Sequence, residues 1–331
     1  MSDLPTIADV RAAAERIRDE AVRTPLVSSH VLDEIAGARV LLKAENLQRT
    51  GSFKFRGAHN AVVAAGDAAR NGVVACSSGN HAQGIAEAAR IRGVPATIVM
   101  PADAPADKKR RTERAGAAVV EYDRYSEDRE AIAAQIAERD GALFVHPYEN
   151  PHVIAGQGTC GLEIIEDLTA MGLVPAGVLV CTGGGGLLGG ITLAVRDAFP
   201  DAQMIAVEPA GFDDYGRSLE AGERLGNENG GRSVCDAILT PQPGERSFAI
   251  THGVAWGTSV TDAQALEAVA FAARELKMVV EPGGAVALAA ILKEGRVGNL
   301  RGGDASSVFV ATLSGGNIDA AMLARAVEAA G

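Results

Sequence analysis

The chain has 331 residues, enough for two lobes with a sizeable core. It is 47% hydrophobic but only 4% aromatic, so that core must be built from Ala, Val, Leu and Ile. A formal net charge of −11 excludes the basic surface that nucleic acid or an anionic membrane face requires. Four widely spaced cysteines, Cys76, Cys160, Cys181 and Cys235, form no C-x-x-C pair and predict buried reduced thiols. Met1–Arg23 reads as a polar, amphipathic helix rather than a signal peptide. No stretch approaches the roughly 20 apolar residues of a membrane span, so a cytoplasmic location is expected.

Beyond that first helix, short apolar runs alternate with longer amphipathic ones. Val73–Cys76, Ala96–Met100, Ala118–Glu121 and Ala142–Val145 read as buried strands. Between them, Ala82–Arg92, Pro105–Ala115 and Ser126–Arg139 read as helices. The rhythm returns with strands Gly177–Cys181 and Met204–Glu208 around a helix Leu187–Phe199, then strand Val308–Thr312 and a last helix from Ile318. Such alternation needs crossover connections and predicts an α/β chain with mostly parallel sheet covered on both faces. Ligands of such sheets bind where strand ends meet helix N-termini. Three polar, Gly-rich clusters fall there: Ser77-Ser78-Gly79-Asn80-His81, Thr182-Gly183-Gly184-Gly185-Gly186 and Ser314-Gly315-Gly316-Asn317.

The four-glycine run ends a strand and opens a helix, so its N–H groups and the helix dipole suit a phosphate, and a Cβ would obstruct the approach. Gly184, Gly186 and Gly189 also satisfy the G-x-G-x-x-G dinucleotide fingerprint, with Glu208 placed for a ribose. On that segment alone both ligands remain open. The segment Thr50-Gly51-Ser52-Phe53-Lys54-Phe55 sets a lysine between two phenylalanines in the first turn of a helix. An amine there has its charged form disfavoured, which makes it a usable nucleophile and base. The plainer reading is a helix lysine on a solvated face.

These four clusters, in this order, resemble those of fold-type II pyridoxal-phosphate (PLP) enzymes, and most closely the serine/threonine dehydratase and serine racemase branch. The resemblance runs from about Thr24 to the last helix and favours a PLP phosphate over a dinucleotide. It implies a tryptophan synthase β-like fold of two open, twisted, mostly parallel sheets covered by helices. A large PLP-binding domain would take residues 1–50 and 149–331, and a small substrate-side domain residues 51–148. Lys54 would hold PLP covalently and then move the Cα proton, while Phe53 packs on the cofactor ring. Asn80 would bond the phenolic oxygen, Gly183, Gly184, Gly185, Gly186 and Leu187 the phosphate, and Ser314 the pyridine nitrogen. Glu281 looks like the family acid near the ring. Ser77, Ser78, Gly79, Asn80 and His81 would bind the substrate carboxylate, with His81 equally a structural hydrogen-bonder.

The implied activity is an ammonia-lyase (dehydratase) acting on serine, threonine or a related β-hydroxy amino acid. Ser78 keeps a serine racemase open as its second base, against a hydroxyl that caps the following helix. Arg129 aligns with a racemase arginine that reaches a second carboxylate, which would suit 3-hydroxyaspartate; its acidic neighbours Glu127, Asp128 and Glu130 argue for a surface ion-pair helix. Glu208, Asp214 and the carbonyl of Phe212 resemble a divalent-cation site for Mg, Mn or Ca, against a charge cluster at a helix N-terminus, with Asp213 as a solvated neighbour. Ser233 and Asp236 lie where the chain is shorter than the racemases. The resemblance also implies a homodimer. The last helix ends near Gly331, which leaves no room for a C-terminal regulatory domain, so isoleucine inhibition is not expected.

Overall fold

The computed structural model describes residues 4–104, 106–123, 125–227, 231–294 and 306–329. Among the described residues, ten strands form two sheets. They are β1 (Leu26–Ser28), β2 (Arg39–Lys43), β3 (Val73–Cys76), β4 (Ala96–Pro101), β5 (Ala118–Tyr122), β6 (Leu143–Phe144), β7 (Pro175–Cys181), β8 (Gln203–Pro209), β9 (Ala255–Val260) and β10 (Val308–Thr312). One sheet has the order β1-β2-β10-β7-β8-β9 and the other β5-β4-β3-β6. Every pairing is parallel except β1 with β2. The expected α/β architecture of two mostly parallel sheets is therefore present. Central strands such as β3 and β10 are buried along their whole length, as sheets covered on both faces require.

Expected and observed elements differ mainly at helix starts, and side chains explain the differences. The helix expected from Ser126 begins at Arg129, because the Asp128 carboxylate accepts from the N–H groups of Glu130 and Ala131. The last helix begins at Ala320 rather than Ile318, with Asp319 accepting from Met322 N at 2.8 Å. The helix expected from Ala82 starts earlier, at Asn80, so Asn80 and His81 belong to its first turn. Pro105, where another helix was expected to begin, lies outside the described residues, as do Met1–Asp3 and Gly331. No helix among the described residues is long and apolar enough to cross a membrane. All four cysteines are free and buried.

Two helices that carry the site dock on one long helix, Pro151–Met171, which Asn150 caps and Pro151 opens. The lysine-bearing helix Lys54–Ala64 meets it through Gly57 and Gly156. A Cβ on Gly156 would lie 2.6 Å from the Gly57 Cα. The helix Gly186–Ala198 meets it through Gly190, whose Cβ would lie 2.5 Å from Gly158 N. Backbone-to-backbone packing of this closeness has no room for a side chain. An ion cluster then pins the lysine helix from beneath. Arg56, 1% exposed, donates to Glu45 at 2.7 and 2.8 Å and to Glu163 at 2.7 and 2.8 Å, while Lys43 donates to Glu163. Two cations face two carboxylates, so the buried charges balance. Burial pushes the Glu45 carboxyl up, but Arg56 more than reverses this and holds it below its ordinary value.

Candidate active site

A cavity of about 180 Å³ opens where the carboxyl ends of β3, β7 and β10 face one another, and the three Gly-rich clusters and Lys54 all line it. Phe53 and Lys54 reach it because the extended residue Ser52 bridges to Gly315, and Phe53 N donates to Ser314 O at 3.1 Å. The Lys54 amine lies 5.0 Å from the Phe53 ring centroid and donates to Pro147 O at 3.4 Å. Burial lowers its pKa from 10.5 to about 8, and the Glu281 carboxylate resists that fall. The side chain is half-buried only because it opens into the cavity. The solvated-surface reading of this lysine is thereby excluded.

The glycine run forms the opposite wall. Gly185 has φ +87° and precedes the helix Gly186–Ala198, whose first N–H groups have no partner inside the helix. Sequence reasoning assigned the glycines to ligand approach; the structure adds a cause from behind. A Cβ on Gly184 would lie 2.5 Å from the Tyr148 ring, one on Gly185 2.2 Å from the Tyr215 ring, and one on Gly183 2.9 Å from Ile238 O. The cradle is held tight by aromatic rings, and free N–H groups at a helix N-terminus suit a phosphate.

Around the third cluster, a polar chain crosses between segments. Asn80 Nδ2 donates to Glu281 Oε1 at 2.6 Å, and Asn317 Nδ2 donates to Asn80 Oδ1 and to Thr50 O, both at 2.8 Å. The Asn80 amide thus keeps one hydrogen for a ligand. Ser314, 4% exposed, presents to the cavity beside Cys181. In the first cluster, Ser77 Oγ accepts from Gly79 N at 3.1 Å, so the Gly79 N–H expected to meet a carboxylate is already engaged. Ser78 lines the cavity, and the following helix has Gly79 as its N-cap with no side-chain cap bond. The capping reading of Ser78 is corrected accordingly. His81 is buried beside Lys54, and its ring lies 3.1 Å from Val145 O through Nε2. Burial, helped by Lys54, lowers its pKa to about 3, which keeps it neutral; its Nδ1 has no partner among the described residues.

Arg129 also lines the cavity and is half-buried; its closest carboxylate is Glu130 at 3.8 Å. A pure surface ion-pair role therefore does not describe it. Glu208 and Asp214 sit outside the cavity. Glu208, fully buried, accepts from Tyr215 N at 2.9 Å and Gly216 N at 2.8 Å, capping the helix Asp214–Ala221. This carboxylate is unavailable to a ribose, which removes the main support for a dinucleotide. Burial, then the nearby Asp214, push Glu208 well above its ordinary value, and burial lifts Asp214 to about 6. Asp214 Oδ2 is buried without a partner among the described residues, and Phe212 and Asp213 are half-buried nearby. Among the described residues no group of three or more His, Cys, Asp or Glu side chains could hold a metal. Ser233 donates to Asp262 at 2.6 Å, which makes it a loop anchor, whereas Asp236 lines the cavity.

Sequence reading missed Tyr148, Thr240 and Arg111, which also line the cavity. Tyr148 follows the carboxyl end of β6, and that placement is the one signal that could have found it. Its hydroxyl pKa is pushed up to about 12 by burial.

Comparison with known proteins agrees with this geometry. Residues 17–315 match the model of the family described as "Pyridoxal-phosphate dependent enzyme". L-threo-3-hydroxyaspartate ammonia-lyase of Pseudomonas sp is 45% identical over 290 residues, 87% of this chain and 89% of that protein. The T.th. threonine deaminase superposes with a TM-score of 0.89 at 43% identity, covering 95% of this chain and 99% of that one. Maize serine racemase superposes with a TM-score of 0.90 at 33% identity, covering 98% and 97%. With a family match that spans most of its length and a cavity that unites a desolvated lysine with a glycine cradle, this chain belongs to the pyridoxal-phosphate dependent enzymes.

Proposed function

We propose that this protein is a PLP-dependent ammonia-lyase that converts L-serine, L-threonine or a related β-hydroxy amino acid to a 2-oxo acid and ammonia. The observation that carries the reading is the Lys54 amine, lowered to about 8, in one cavity with the N–H cradle of Gly183–Leu187. When bound, PLP supplies an electron sink for the charge that develops at the substrate Cα. The chain's residues do the rest. The cradle would hold the phosphate, Phe53 would pack on the ring and the remaining Asn80 amide hydrogen would meet the phenolic oxygen, with Glu281 fixing Asn80. Ser314 offers the ring nitrogen a neutral hydroxyl, which does not stabilise a cation there and so favours elimination over transamination. The neutral Lys54 amine is the group that would hold the cofactor covalently, and as a free base it would accept the Cα proton. The Ser77 and Ser78 hydroxyls and the first-turn backbone N–H groups of Asn80 and His81 orient the substrate carboxylate from the smaller sheet's side, in a substrate-side lobe of residues 51–148. Incubation with each amino acid, followed by measurement of ammonia and oxo acid, tests this; unchanged turnover by Lys54→Ala would refute it.

A second reading concerns the substrate. Arg129 in the cavity wall, paired only loosely with Glu130 at 3.8 Å, favours a diacid such as 3-hydroxyaspartate. A serine racemase with Ser78 as second base is the remaining alternative, supported by a Ser78 hydroxyl that is not spent on capping. We also propose a divalent cation, Mg, Mn or Ca, held by Glu208, Asp214 and the Phe212 carbonyl. Its support is the partnerless buried Asp214 oxygen beside a second buried acid. A cytoplasmic homodimer completes the proposal. Leu47, Val22 and Val279 are about half exposed on segments joined by Gln48 and Asn46 hydrogen bonds, and light scattering of the Leu47→Asp protein tests that face.

A further inference from the structure

Two buried side-chain atoms that lack any protein partner among the described residues belong to residues lining the cavity: His81 Nδ1 and Thr240 Oγ1. The histidine belongs to a cluster already assigned. Thr240 does not, and a buried hydroxyl without a partner is costly unless a ligand completes it. Its backbone is held with care. Asn227 Nδ2 donates to Thr240 O at 2.9 Å and to Asp214 Oδ1 at 2.5 Å, and Asn227 N donates to Pro241 O at 2.9 Å. Arg217 Nη2 donates to Asn227 Oδ1 at 2.9 Å, so both polar side-chain atoms of Asn227 are spent on fixing this loop. Two residues earlier, Ile238 leans on the cradle, where a Gly183 Cβ would strike its carbonyl. The loop is therefore tied to the acid pair on one side and to the cradle on the other.

We propose that Thr240 is a specificity-determining residue whose hydroxyl hydrogen-bonds an oxygen of the amino acid substrate, and that Asn227 is the positioning residue that holds it there. The cofactor phosphate has its own donors in the cradle N–H groups, which leaves the substrate as the group in need of a hydroxyl. The inference rests on the ammonia-lyase reading for the substrate class, a β-hydroxy amino acid.

The test is a titration of the holoenzyme with L-serine, L-threonine and 3-hydroxyaspartate, read from the visible spectrum of the cofactor, alongside KM and kcat. Thr240→Val should weaken binding of the preferred amino acid and raise KM roughly tenfold, the effect of about 1.4 kcal/mol. Its cofactor affinity and kcat should stay near wild type. Thr240→Ser, which keeps the hydroxyl, should stay within about twofold. Asn227→Ala should raise KM too, and Asn227→Ala with Thr240→Val should be no worse than Thr240→Val alone, because Asn227 acts through Thr240. Unchanged KM in Thr240→Val, or a loss of cofactor affinity in its place, overturns the assignment; additive effects overturn the role of Asn227. Binding without turnover in the wild type would sink only the lyase reading. Binding of none of the three amino acids would sink both.

Discussion

The protonation of Lys54 gives the sharpest prediction. A free lysine amine at 10.5 is neutral in about one molecule in 3,000 at pH 7, whereas one lowered to about 8 is neutral in roughly one in ten. Only the neutral amine attacks an aldehyde, so capture of PLP by the apoenzyme at pH 7 should proceed about 300-fold faster than the unperturbed amine would allow. Rapid mixing of apoenzyme with PLP, followed by absorbance, should give a rate that rises about tenfold per pH unit and levels near pH 8. Because burial depresses this amine while Glu281 raises it, Glu281→Gln should move the levelling point to lower pH. The substitution also disturbs the Asn80 contact, so the pH midpoint and not the amplitude is the readout. A midpoint that stays near 10.5 in the wild type, or rises in Glu281→Gln, would refute the assigned cause.

Four further outcomes follow from the geometry. Gly184→Ala should destabilise the holoenzyme by about 1–3 kcal/mol through overpacking on Tyr148, and adding Tyr148→Ala should recover part of its melting temperature; no recovery would mean that the ring is not the obstacle. Arg129→Ala should cost turnover of 3-hydroxyaspartate by at least about 2 kcal/mol while leaving serine nearly unchanged, and equal losses on both would remove its diacid role. Ser78→Ala should abolish any D-serine formation from L-serine, as chiral chromatography would show, while elimination persists with the higher KM expected from loss of one carboxylate contact. Added Mg, Mn or Ca at about 100-fold its dissociation constant should stabilise the protein by about 2.7 kcal/mol. Asp214→Asn should remove that stabilisation, and a cation effect that survives it would place the ion elsewhere.

Much of this architecture was legible because α/β chains separate their signals. Buried strands such as Val73–Cys76 and Val308–Thr312 are unbroken apolar runs, and the ligand-facing clusters follow them directly. The edge strand β9, Ala255–Val260, was not legible, since most of its residues are half-buried and carry no alternation. The long helix Pro151–Met171 escaped for a different reason: its glycines argue against a helix locally, yet they are required where other backbones cross it. Thr240 and Asn227 were illegible because their meaning lies in the bond from the Asn227 amide to the Thr240 carbonyl, which no sequence pattern signals, and in the second bond of that amide to Asp214. The glycine run carries in the sequence only one reason for its glycines, close approach of a ligand, since nothing there says that Tyr148 and Tyr215 stand behind it.

The segment Val145–Tyr148 explains why a search for chemically active side chains is incomplete here. Val145 offers its carbonyl to His81, His146 Nδ1 accepts from Glu149 N at 3.0 Å to shape the turn, and Pro147 offers its carbonyl to Lys54. Tyr148 then braces the cradle. Three of these four contacts run to His81, Lys54 and the glycine run in turn, and two of them use backbone oxygens that no side-chain substitution removes. The turn itself depends on an unprotonated imidazole, and burial lowers the His146 pKa, which preserves that acceptor. A single loop therefore holds Lys54, His81 and the glycine run in one register, so a change of its backbone path alters all three together, whereas a side-chain change at Pro147 leaves the lysine's acceptor in place.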